Sequence, residues 1–429
     1  MTVTLDRPAG TTPAPAPRAG RRGRALLFGA ALLLVAVSVT RVVSGVDDLT
    51  SVGTAGAALS LAVPIGLAAL GGLFAERAGV VNIGLEGMMI LGTWTGAWVG
   101  YQAGPWAGVL AGIAGGAIGG LVHALATVTF GVDHVISGVA INIIAAGVVR
   151  YLSVVTYAHR SDAGPTQSPS VDAIGTNGLP VLSGGHYAGW HSPDLLADLA
   201  GKHWFLVSDT AGILRGATGD VSYLTMVAVL LVPVSAFVLF RTAFGLRLRS
   251  VGENPVAAES LGVGVYRMKY AGVVLSGALA GMAGAFLVTV AASYYREGQT
   301  GGRGFIALAA LIFGNWRAGG AAAGSLLFGY TDGLQTRSND DVHPLLLLLG
   351  LLLVVLAVVA LRRRQRAQAA VAAVVGAGLV VLFALTGTVP QELVGATPYL
   401  TTLLVLALAS QRLRPPAADG LPYRRGQAR

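Results

Sequence analysis

Twelve times along this chain, a run of apolar residues approaches the roughly twenty needed to cross a bilayer and is then cut off by polar or turn-forming residues. The runs are 25–43, 55–75, 80–101, 105–129, 134–156, 222–240, 270–292, 304–316, 319–335, 344–361, 370–388 and 396–410. Few folds are open to such a chain. In lipid every backbone donor and acceptor must be satisfied within its own segment, so the runs read as helices and the chain as an all-α polytopic membrane protein of about twelve transmembrane segments. The eighth and ninth runs are short and glycine-rich, which also suits one broken or re-entrant pair. With 54% hydrophobic and only 11% charged residues over 429 positions, there is more apolar surface than a soluble core can hide.

The cations set the orientation. With the N-terminus inside and the spans alternating, the inner side receives five Lys or Arg before residue 25, Arg77, five in 241–269, Arg317, four in 362–366 and five after 410, out of 29 in all. That bias places both termini in the cytoplasm. The remaining cations, among them Arg41, Arg150, Arg215 and Arg303, fall outside or near span ends, where long side chains can snorkel. Topology thus accounts for the net charge of +9 without nucleic acid. Residues 1–24 read as a disordered basic tail, 25–410 as the transmembrane domain and 411–429 as a second cytoplasmic tail. The arginines before Ala25 also suit a signal peptide, but no small-x-small site precedes a soluble domain and further spans follow at once.

Several chemistries are excluded. Cys 0 removes disulfides, thiol catalysis and iron–sulfur ligation. The two lysines, Lys202 and Lys269, do not follow a Gly-x-x-x-x-Gly pattern, so the chain has no P-loop and any ATP must be hydrolysed by another protein. The polar stretch 157–221 is far longer than an ordinary connection and is placed outside. Its His186, His191 and His203 fit no standard metal spacing, and no cofactor is expected. A short amphipathic stretch, 195–206, suits the outer interface, with Trp190 and Trp204 as anchors.

The cytoplasmic segment 241–269 is the most informative loop. Asn254 suits a helix N-cap, Pro255 a first helical position, and Gly262 a stop, which predicts a short helix lying on the inner face as a surface for another protein. The pattern G-E-N-P-x-A-A-E-x-x-G-V resembles the coupling segment of permease subunits of bacterial ABC importers, in the branched-chain amino acid, ribose and nucleoside permease family. The resemblance implies that Glu253, Asn254, Pro255, Ala257, Ala258 and Gly262 meet a separate ATPase. A second stretch, E-R-A-G-V-V-N-I-G-L-E-G-M-M at 76–89, is similar to the nucleoside-type members. It carries Asn82 and Glu86 four residues apart, hence on one face if the span is helical throughout. A carboxylate this deep is a functional candidate by default; it either ties helices together through backbone groups or Arg150, or lines a substrate path.

The fifth run contains Asn142, polar among apolar neighbours, which suits either an interhelical hydrogen bond or contact with a sugar hydroxyl or base edge. His134 beside Asp133 reads as a solvated turn. Phe305, in the stretch 304–316 that also resembles the family, is placed for ring stacking or for core packing. Gly108, Gly112, Gly116 and Gly120 recur every four residues and form a groove along one helix face, as do Gly277 with Gly281 and Gly320 with Gly324; packing within the subunit and contact with another subunit both suit them.

The resemblance covers about 55–155, 222–335 and 388–425, and is interrupted at 343–388 by an inserted helical pair. It implies a core of about ten spans in a bacterial plasma membrane, with an ABC ATPase, a second homologous permease and an extracytoplasmic substrate-binding lipoprotein as partners. Nucleosides are the first substrate class it suggests, ahead of ribose-type sugars and branched-chain amino acids. An ion-coupled secondary transporter is the competing class. It would carry several intramembrane carboxylates, whereas here Glu86 is nearly alone.

Overall fold

Two long apolar helices form the axis of the protein: α2 (Val52–Arg77) and α11 (Val265–Phe286) pass each other antiparallel, with Gly71 against Ser276 and Gly272 against Phe74. The architecture is that of a computed structural model, which describes residues 19–187, 189–202, 204–335, 343–387, 389 and 413–426. Ser51 caps α2 by accepting the Thr54 N–H at 3.2 Å. The helices that pack around this axis are α3 (Leu85–Ala103), α4 (Pro105–Ala124), α8 (Tyr223–Arg241), α12 (Arg303–Phe313) and α13 (Ala318–Gln335), with α5 (His134–Tyr157) against α3 and α4 and α1 (Ala19–Ser44) further out. A hairpin of α14 (Pro344–Arg362) and α15 (Arg366–Leu385) packs against α1. Seven described helices are long and apolar enough to cross a membrane.

The order of packing follows side-chain size. On α4, Gly112, Gly116 and Gly120 face Gly277 and Gly281 of α11 so closely that a Cβ on Gly116 would lie 2.2 Å from the Gly277 carbonyl oxygen, while Gly108 meets Gly96 of α3. The glycine groove therefore serves packing within the chain, with backbones in direct contact. Gly324 likewise meets Ala310 of α12, and Gly320 meets Gly314, the residue that caps that helix. By contrast, α5 and α8 turn large apolar side chains outward, with Ile143 at 69% and Leu230 at 61% exposure, as suits lipid or a second membrane subunit.

Several expectations are corrected. The helix over the first run begins at Ala19, so Arg21, Arg22 and Arg24 belong to it; residues 1–18 of the expected tail lie outside the described residues, as does the run 396–410. The third helix starts at Leu85, because Gly79 at φ 76° and the following 80–84 leave helical conformation. Asn82 is thus not on a helical face with Glu86. The eighth run is a half-helix: the eleven residues of α12 rise only about 16 Å, too little for a bilayer. Arg41, in the last turn of α1, is held by two carboxylates, its Nε 2.7 Å from the buried Asp209 and its Nη1 3.0 Å from the exposed Asp47.

The stretch 157–221 is structured. Two small antiparallel pairs, β1 (Thr176–Asn177) with β4 (Val221–Ser222) and β2 (His186–Tyr187) with β3 (Trp190–His191), frame α6 (Leu195–Ala200) and α7 (Val207–Thr218). The amphipathic stretch expected over 195–206 is only the six-residue α6, and α7 beyond it carries Asp209 inward to Arg41 and Thr50. Lys202 lies 4.9 Å over the Trp204 ring, which is 56% exposed.

Candidate functional site

Two helices begin inside the bundle, and the residues between them form the first candidate site. The segment 80–84 brings the chain from the end of α2 to the start of α3, while 292–302 approaches from the opposite end and leads into α12. Gly302, in the left-handed region at φ 78°, is the N-cap of α12. The Glu86 carboxylate accepts the Gly302 N–H at 3.0 Å and the Gly304 N–H at 2.7 Å. These donors have no partner within their own helix, and the N-terminal end of a helix favours negative charge, so the buried carboxylate is compensated by backbone. Arg150, the other partner considered for it, is paired with Glu297 at 2.9 Å.

The neighbouring polar residues hold the break open. Asn142 accepts the Gly87 N–H at 2.7 Å and donates to the Ile83 carbonyl at 3.0 Å, so its amide staples α5 across the start of α3. Asn82 is fully buried and donates to Ser276 Oγ at 2.8 Å; its Oδ1 has no hydrogen-bond partner among the described residues. His134 is not solvated but 4% exposed, and its Nδ1 accepts the Val81 N–H at 3.3 Å. His123, fully buried, reaches the Val81 carbonyl through Nε2 at 3.1 Å and Ser137 Oγ through Nδ1 at 2.9 Å. Val81 is therefore clamped on both sides. Backbone satisfaction fixes the tautomers: Nδ1 of His134 is unprotonated, and Nε2 of His123 carries the proton.

Phe305 stands apart from this network, half-exposed on the first turn of α12. The sequence reading missed His123 and Ser276, and took Arg303 only as a cation outside or near a span end, whereas it pairs with Asp332 at 3.3 Å. An ionisable residue inside an apolar run is a signal by itself, and His123 meets that criterion.

The second candidate site is the surface at the end of the bundle where α2 finishes and α11 begins. Helix α9 (Ala243–Glu253) is capped by Thr242 and is followed at once by α10 (Pro255–Ser260). Asn254 Oδ1 accepts the Ala257 N–H at 3.0 Å, Pro255 occupies the first turn, and Gly262 ends the pair at φ 82°. Ala258 is buried, whereas Val256, Ala257 and Leu261 are exposed, Leu261 at 83%. Glu253 lies 3.8 Å from Arg77. Beneath it Arg77 donates to the Trp316 carbonyl at 2.6 Å, and the Trp316 indole donates to Glu76.

At the opposite end, a cleft of about 440 Å³ opens beside Ser60, Thr176, Arg215, Ser222 and Thr225. Much of its lining is already paired: Arg215 with Asp194 at 2.8 Å, and Ser222 with Thr225 at 2.8 Å.

Comparison with known proteins adds the remaining observations. Residues 54–357 match the family described as branched-chain amino acid transport system / permease component. The chain is 33% identical over 379 residues to the guanosine ABC transporter permease protein NupQ of Bacillus subtilis, covering 86% of this chain and 96% of that protein. It is 32% identical over 372 residues to the nucleoside ABC transporter permease protein NupC of Lactococcus lactis, covering 85% and 94%. The putative glucose ABC transporter permease protein TsgC13 of Haloferax volcanii is 32% identical over 287 residues, covering 67% and 78%. No solved structure matches the chain.

Proposed function

Because the chain belongs to the branched-chain amino acid transport system / permease component family, we propose that it is the permease subunit of an ATP-driven ABC importer that brings nucleosides into a bacterial cell. The observation that carries this reading is the near end-to-end likeness to two permeases whose names specify guanosine and nucleoside. A simple-sugar substrate is the second reading, favoured by the shorter match to a putative glucose permease. The chain provides the path and conformations, and a separate ABC ATPase provides the hydrolysis. A second homologous permease completes the membrane unit, and an extracytoplasmic lipoprotein delivers the substrate.

In this reading α10 is the contact with the ATPase. Its N-cap, its first-turn proline and the positive φ of Gly262 fix a short helix, and Val256, Ala257 and Leu261 present apolar surface that a soluble partner would cover. Ala257→Glu places a bulky charge on that exposed face without touching the buried Ala258. The variant is expected to insert and express as the parent does, to lose ATPase co-purification, and to reduce uptake at least tenfold. Near-normal uptake would count against a driven importer and favour a self-sufficient transporter.

Glu86, Asn82 and Asn142 are assigned to the path because they line the junction where α3 and the half-helix α12 begin, and irregular backbone is tolerated there only if it faces protein or water. Phe305, half-exposed on the first turn of α12 and outside their hydrogen-bond network, is assigned to the path as a ring that substrate could stack on. Both termini inside is our reading of the arginine distribution, with twelve crossings if 292–302 and the half-helix α12 together make the eighth. The topology is testable because the chain carries no cysteine. Leu182 is 47% exposed in the long outer segment, and Gln365 is exposed between α14 and α15. In intact cells an impermeant thiol reagent is expected to label Leu182→Cys and not Gln365→Cys; the reverse pattern would invert the orientation.

A further inference from the structure

Residues 413–426 do not hang free as a tail. They run across the end of the bundle and touch three structures in turn. At the start, the Arg414 N–H donates to Asn315 Oδ1 at 2.9 Å, in the turn between α12 and α13. Next, the Ala418 N–H donates to the Gly252 carbonyl of α9 at 2.8 Å, and the Ala417 N–H to Glu253 at 3.3 Å. Further on, Tyr423 packs its ring 5.7 Å from Tyr266, joins the cluster of Val251, Ala258 and Val265, and donates its hydroxyl to Glu259; Arg425 donates to the same carboxylate at 3.0 Å.

Between those contacts the segment presses on the break between α2 and α3. Gly79 lies so close to the Ala418 carbonyl that a Cβ there would come within 3.1 Å of it, and Gly420 lies against Val81, the residue clamped by His123 and His134. Asp419 is half-buried beside Glu76 and Lys269, and Lys269 donates to the Gly79 carbonyl at 2.9 Å. Burial, with the neighbouring Glu76, pushes the Asp419 carboxyl up to about 8 against the pull of Lys269, and its Oδ1 has no hydrogen-bond partner among the described residues.

The short helix α10 has little hold of its own on the bundle. Only Ala258 is buried, and the side-chain hydrogen bonds that tie α10 to other elements among the described residues are both donated to Glu259 by this segment. A six-residue helix transmits displacement only through what grips it. We propose that residues 413–426 are a strap that carries movement of α9 and α10 to the break at 79–84, with Glu259, Asp419 and Tyr423 as its positioning residues. The strap stays attached throughout the cycle. The inference rests on the ATPase-coupled reading of the chain.

The test is made on the full chain, co-expressed with its ATPase and receptor and reconstituted into vesicles, reading nucleoside uptake and ATP hydrolysis together. In Glu259→Ala, and in a chain ended before Leu413, the ATPase is expected to co-purify and hydrolyse ATP while uptake per ATP falls at least tenfold. Tyr423→Phe, which keeps the ring contact and loses one hydrogen bond, is expected to fall between these and the parent. In the cysteine-free background, Glu259→Cys with Tyr423→Cys is expected to be impaired and to regain uptake when a short bifunctional thiol reagent joins the pair. Should the shortened chain fail to fold, the point variants decide. Unchanged uptake per ATP in Glu259→Ala, or loss of uptake on joining the pair, would overturn the strap. If the parent chain itself neither binds an ATPase nor needs ATP, it is the importer reading that fails, and the two failures are thereby distinguished.

Discussion

Gly281→Val is expected to prevent assembly of the bundle, leaving little or no monodisperse protein after extraction. A Cβ at this position would lie 2.1 Å from the Gly112 carbonyl oxygen and 2.8 Å from the Gly116 Cα, so both obstacles are backbone and neither can rotate away. Overpacking a core against side chains costs about 1–3 kcal/mol. Here the only relief is to separate α4 from α11, which also parts Gly277 from Gly120. Native stabilities of about 5–15 kcal/mol leave small room for such a loss. Gly147→Val is the control: it lies on α5, where a Cβ meets nothing within 4 Å, and it is expected to behave as the parent in size-exclusion chromatography. Normal yield of the Gly281 variant would mean that α4 and α11 do not pack as described.

The second large effect is expected at Glu86. Glu86→Leu removes the acceptor of two N–H groups, those of Gly302 and Gly304, at the start of a half-helix. An unsatisfied buried donor costs about 1–3 kcal/mol, so the pair amounts to about 2–6 kcal/mol. The start of α12 should loosen first, since Gly304 rests directly on the Glu86 backbone and loses its anchor there. Glu86→Gln keeps one carbonyl oxygen and offers N–H in place of the other, so it retains one of the two hydrogen bonds. We expect Gln to preserve expression and lower uptake, and Leu to abolish uptake and reduce thermal stability. Uptake and melting in both variants are the measurements; parent-like behaviour in both would remove Glu86 from the working of the path.

Local chemistry was the most legible part of this sequence. Asn254, Pro255 and Gly262 act within one helical turn, so the short surface helix could be read from spacing alone, and the glycine ladder of α4 points to close approach whatever its partner is. Non-local features were hidden. The apolar character of Val80, Val81 and Ile83 continues the pattern of α3, so nothing in periodicity marks the break; it is imposed by His123 and His134, distant in sequence, which satisfy the Val81 backbone in place of a helix. The same two residues explain why a histidine at the start of α5 is buried and not solvated. Helix α7 escaped notice because its polar composition resembles a loop, while its stability depends on Asp209 meeting Arg41. The strap carries no periodic signal at all, and only its contacts with Gly252, Glu259 and Gly79 reveal it.

The central claim is that this chain forms an ATP-dependent path for nucleosides, and uptake of radiolabelled nucleoside by a strain deleted for it tests that claim most directly. Complementation with the parent chain is expected to restore uptake, with unlabelled nucleosides competing, ribose and leucine not competing, and ATP depletion abolishing the signal while an intact ion gradient is maintained. Uptake that survives ATP depletion, or that ribose or leucine displaces and nucleosides do not, would contradict it.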